Sequence, residues 1–185
     1  MYPHHLHNSD RPCPVTGIRA GFPQRVEVIL LHEELRHDIT ADITAIERQR
    51  KLEAPILASD GKDDYRLARA IDQAVGKVVK RCTAYLMLPS PFVHRISTNH
   101  VYKWEEKSIY LHFPENWPPH LADTLRDAVH QYIVKHTELA LLTVALPEDK
   151  YLPILQEQVN DAYDDINAAL NERLGASLTH VTFLG

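Results

Sequence analysis

The chain has 185 residues, 44% of them hydrophobic and 24% charged, which is enough for one well-buried domain and too apolar for a disordered chain. A net charge of -5 argues against a general nucleic-acid binder, which carries a basic footprint. Two cysteines, Cys13 and Cys82, are too few for a disulfide framework and are spaced unlike a zinc ribbon, so a reducing compartment is the expectation.

The opening MYPHHLHNSD lacks the basic-then-apolar pattern of a signal peptide, and no apolar run reaches the roughly 18 residues of a membrane span. A cytosolic protein without a membrane segment is expected. Residues 1–23 read as an extended arm, because Pro3, Pro12, Pro14 and Pro23 remove backbone donors and no apolar period is present. Its HHLH cluster, with Cys13, offers zinc or nickel ligands, but short His clusters bind weakly and no specific metal site is expected there.

From Gln24 to Lys51, Val28, Leu31, Leu35, Ile39, Ile43 and Ile46 recur at spacings of three and four, which predicts one long amphipathic helix. Pro55 and the SDG turn at Ser59 to Gly61 end it. A second helix carries Leu67, Ile71, Ala74, Val75, Val78, Cys82 and Tyr85 on one stripe and stops before Pro89 and Pro91.

In VYKWEEKSIYLHF the period changes to two: Ile109, Leu111 and Phe113 alternate with Tyr110 and His112, and a polar EEK separates two aromatic-rich runs. A β-hairpin near 100–113 is predicted. A third helix follows ENWPPH, with Leu121, Leu125, Val129, Tyr132, His136 and Leu139 inward, and LALLTVAL is expected to be its most buried part. PEDK breaks it. A fourth helix has Leu152, Leu155, Val159, Ala162, Ile166 and Leu170 inward, Gly175 as its cap, and then a β-prone tail, SLTHVTFLG.

The expected fold is mainly α: a four-helix bundle-like domain (24–175) with a small β-hairpin insertion, flanked by an extended N-terminal arm (1–23) and a C-terminal tail (176–185).

Candidate chemistry is sparse. In LLHEELRHDI, His32, Glu33 and His37 imitate the zinc-protease signature with one residue too many. Five positions at about 100° each place the two histidines roughly 140° apart around a helix, so they cannot share a metal from one face. His32 falls on the apolar stripe. A second possibility joins Glu34 and His37 with Asp127 and His130, two acid-x-x-His pairs of the kind that dimetal helical bundles use. That is the alternative, a metal-dependent enzyme. No nucleophile elbow and no phosphate loop occur, and Cys82 sits on a buried stripe where a thiol is inert. Arg48, Arg50 and Lys51, with Lys77, Lys80 and Arg81, form either a basic patch or ordinary solvated helix ends. Tyr102, Trp104, Tyr110 and Trp117 around the hairpin, with Val181 and Phe183 in the tail, are the candidate interface residues, since aromatics and a β-edge suit assembly.

AVGKVVKRCTAYL, then SIYLHFPENW, then LADTLRDAVHQYIVKHTELALLTVALPEDKYLPILQEQVNDAYDDINAALNERL, over about residues 60–175, resembles small structural proteins of phages and Mu-like prophages of Bacteroidetes-type bacteria. Those are in turn similar to helical head-tail connector or neck proteins of tailed phages. The resemblance rests on element order and hydrophobic pattern. It implies a non-catalytic subunit without a cofactor, assembled as a homo-oligomeric ring between the portal and the next neck or tail protein, in a virion built in the host cytoplasm. Ring contacts of that type are heterologous and close only at a suitable rotation per subunit. A bacterial protein-interaction module using the hairpin and tail is a further reading.

Overall fold

The computed structural model describes residues 24–57, 62–86 and 106–173. In chain order these form β1 (Gln24–Leu31), α1 (His32–Arg50), α2 (Lys62–Arg81) with a 3-10 turn (Cys82–Tyr85), β2 (Glu106–Phe113), α3 (Leu121–Ala145) and α4 (Leu152–Asn171). The mainly helical class is as expected, with four helices and a two-stranded antiparallel sheet.

The placement of the strands differs from the sequence reading. Gln24–Leu31 is a strand, not the first two turns of α1. Val26, Val28 and Leu30 are buried while Glu27 and Ile29 are not, a period of two that no helix face can satisfy. The helical reading arose because Val28, Leu31 and Leu35 also happen to lie three and four residues apart. β1 passes into α1 without a loop: Leu31 is extended (φ -100, ψ 119) and His32 begins the helix.

β2 has Ile109, Leu111 and Phe113 buried, as expected. The EEK run does not form a turn, because Glu106 and Lys107 belong to the strand. β2 pairs along its length with β1, Gln24 opposite Phe113 and Leu31 opposite Glu106, and Leu86 adds a bridge to Leu111. The first strand of the expected hairpin, the arm and the tail lie outside the described residues.

α3 is the central helix, packing on α1, α2, α4 and β1. It buries Leu125, Val129, Tyr132, Ile133, Val134, Leu141 and Leu142. Its end departs from expectation: Leu141 and Leu142 are buried, whereas Val144 is 73% exposed. α4 buries Leu155, Val159, Ala162, Ile166 and Leu170, the stripe read from sequence, and α2 buries Leu67, Ile71, Ala74, Val75, Val78 and, just beyond it, Cys82.

Trp117 is fully buried, which removes it from the candidate interface. Its ring stacks on Phe113 and its indole N–H donates to the Ala169 carbonyl at 2.7 Å, so a large apolar body and its polar tip are both satisfied inside. Gln24 Nε2 donates to the Trp117 carbonyl at 3.0 Å, tying the start of β1 to the same point. α1 ends on Lys51 in the left-handed conformation (φ 53), whose N–H bonds the Arg48 carbonyl. Arg50 then clamps Asp149 through two bonds of 2.8 and 2.9 Å, linking the end of α1 to the α3–α4 turn.

Candidate functional site

α1 and α3 lie side by side in the same direction, shown by successive contacts of Asp38 with His130, Asp42 with Lys135 and Arg50 with Asp149. The first turns of α1 and the N-terminal half of α3 enclose an open groove of about 580 Å³ lined by Glu33, Glu34, His37, Asp38, Asp127 and His130. All four residues of the two acid-x-x-His pairs are therefore brought to one groove. Each pair sits three residues apart on its helix, so both members face the same seam.

Sequence reasoning missed Asp38, which organises this groove. Its Oδ2 lies 2.8 Å from His130 Nε2 and its Oδ1 3.3 Å from His37 Nδ1. Hydrogen bonds from His130 first, then His37, hold its carboxyl below the usual carboxylate range. The two histidines thus spend a ring nitrogen each on one carboxylate. Among the described residues, no three His, Cys, Asp or Glu side chains are arranged to hold a metal ion. His32 takes no part in the groove. Burial lowers its pKa, with Asp72 acting in the opposite direction.

One to two turns further along the seam, Lys135 Nζ donates to Asp42 Oδ2 at 2.7 Å and to both Glu138 oxygens at 3.2 and 3.1 Å. Glu138 is completely buried, and burial followed by its hydrogen bond to Asp42 pushes its pKa up to about 8. A protonated Glu138 then donates to an ionised Asp42. Burial also opposes charge on Asp42, but the bonds from Glu138 and Lys135 outweigh it and its pKa is lowered.

Of the candidate interface residues, Tyr110 lies on the outward side of β2, half-buried and opposite Glu27 in the register. The hydrogen bond to Glu27 raises the Tyr110 pKa, while bonds from Ser108 and Tyr110 lower that of Glu27. Tyr102, Trp104, Val181 and Phe183 lie outside the described residues. Ile29, on the same outward side as Tyr110, is 49% exposed. Members of the basic run have individual partners: Arg50 on Asp149, Lys77 on His136, and Arg81 on Asn167 and over the Tyr163 ring. Burial pushes the Cys82 thiol up to about 11, which keeps it protonated and poorly nucleophilic.

No helix among the described residues is long and apolar enough to cross a membrane. Comparison with protein-family models, with curated proteins and with solved structures gives no match.

Proposed function

We propose that this chain is a non-catalytic assembly subunit, a head-tail connector or neck component of a tailed phage or prophage, which docks on its neighbours through β1. The observation that carries the assembly reading is the outer edge of β1. Among the described residues the sheet has two strands, so this edge has no strand partner. Arg126 Nε, from α3, donates to the Glu27 carbonyl at 2.9 Å. An edge that no further strand covers among the described residues, beside a half-exposed isoleucine, suits an added strand from another copy. The alternating sequence 177–183 has the pattern of such a donor. The connector role itself is supported by the resemblance over residues 60–175.

Size-exclusion chromatography with light scattering tests this reading. The expected result is a concentration-dependent oligomer that shifts to monomer on deleting residues 176–185. A strict monomer at high concentration, with no assembly when co-expressed with portal and neck proteins, overturns it.

The convergence of Glu34, His37, Asp127 and His130 on one groove favours a second reading, a metal-dependent catalyst. The absence, among the described residues, of any three His, Cys, Asp or Glu side chains arranged to hold a metal ion weighs against it; the Asp38 bridge does not, since it leaves a second ring nitrogen on each histidine. Metal analysis after purification without nickel decides: stoichiometric zinc, iron or manganese, lost in His130→Ala, would favour this second reading.

A further inference from the structure

A second cavity, away from the α1–α3 groove, lies where α2, α3 and α4 meet. It measures about 320 Å³ and is lined by Lys77 from α2, Tyr132, His136 and Leu139 from α3, and Gln156, Val159, Asn160 and Tyr163 from α4. That is the lower end of the size range of small-molecule sites. No carboxylate is part of the lining, although α4 is otherwise rich in acids (Glu157, Asp161, Asp164 and Asp165).

Lys77 is held in place without being neutralised. Its ammonium donates to His136 Nε2 at 2.7 Å. Burial first, then the charge of Lys77, lowers the His136 pKa, so the ring is a neutral acceptor. Accepting at Nε2 leaves the ring proton on Nδ1, a buried atom without a partner, which fixes the tautomer. The His136 ring is in turn packed on Tyr132 at 5.6 Å, and Tyr132 on Tyr163 at 5.7 Å. A lysine paired with a neutral imidazole keeps its full charge and two further N–H donors. Arg81, one turn along α2 and 5.9 Å from the Tyr163 ring, adds to the positive potential.

The remaining polar groups also favour an acceptor ligand. Gln156 Nε2 donates to Asn160 Oδ1 at 3.1 Å, which satisfies the oxygen of Asn160 and leaves its amide N–H groups at the rim. Leu139, Val159 and the faces of the two tyrosines supply apolar wall.

From this arrangement we propose that the α2–α3–α4 cavity binds a small organic carboxylate, its anion on Lys77 and the Asn160 amide and its apolar body against Leu139, Val159 and the tyrosine rings. The site is separate from the β1 edge and stands or falls independently of the assembly reading.

Benzoate and inorganic phosphate, titrated at matched ionic strength into the full chain and followed by amide chemical shifts, provide the test. Benzoate is expected to give saturable shifts at Lys77, His136, Asn160 and Tyr163, and phosphate much weaker ones. Lys77→Met is expected to weaken benzoate by about tenfold or more, the loss of one charge-assisted bond. Asn160→Phe, at an exposed position on the rim, is expected to block the cavity with the fold intact. No saturable benzoate shift, shifts that persist unchanged in both variants, or phosphate binding as tightly as benzoate would overturn the assignment.

Discussion

Trp117 lies nearly parallel to Phe113, with ring centroids 4.1 Å apart and planes 14° apart, and its N–H reaches across to α4 at Ala169. One side chain thus joins the end of β2, the entry to α3 and the last turn of α4. Truncation to alanine should cost about 3–5 kcal/mol, the range for large buried aromatics. Trp117→Phe keeps the stacking and strands the Ala169 carbonyl, so a smaller loss is expected. Urea denaturation of both variants gives the comparison: a Trp117→Phe variant as stable as the parent would show that the hydrogen bond contributes nothing, and losses equal to those of Trp117→Ala would show that the stacking contributes nothing.

Glu138 makes stability fall with pH on the alkaline side. Its folded pKa, about 8, stands above the ordinary 4.5, so the folded state holds this proton more tightly than the unfolded chain. The associated stability is complete below 4.5, declines as pH rises toward about 8, and declines no further above it. Glu138→Gln retains a donor to Asp42 but cannot ionise. Its stability profile between pH 5 and 8 should be flatter than that of the parent, with the gap largest at pH 8 to 9; parallel profiles would contradict a buried protonated carboxyl.

Cys82 should resist modification. In a Cys13→Ser background, a chromogenic disulfide reagent at pH 8 is expected to label the remaining thiol slowly in the native protein and quickly in denaturant, because burial both shields it and keeps it protonated. Fast native labelling would mean that the α2 end opens readily.

Ile29→Lys tests the β1 edge without touching the core. The side chain is 49% exposed, so the melting temperature should change little, while any self-association through this edge should be lost, since lysine blocks edge pairing. Unchanged oligomer mass would remove β1 from the interface.

Much of the bundle was legible because its signals are local. The stripes of α2 and α4 are long and regular, and the two acid-x-x-His pairs could be read because residues three apart share a helix face. β1 was not legible: eight residues of alternating pattern ran on, without a turn, into a helix whose apolar spacing extended backwards by coincidence. Asp38 was passed over because its importance comes from His130 across the seam. Glu138 sits in an otherwise ordinary helical run, and only Asp42 and Lys135 beside it explain a carboxyl at zero exposure. The cavity at Lys77 needs three helices at once, which no spacing rule supplies.

The β1–β2 ladder joins two segments separated by both α1 and α2. Closing so long a loop costs entropy that adjacent helices do not meet, which favours packing of α3 on α4 before the ladder closes. On that order, the edge that a neighbouring subunit would read in the proposed assembly would form late. Partly folded copies would then lack the template, which would separate the timing of folding from that of the proposed association and keep incomplete subunits out of it.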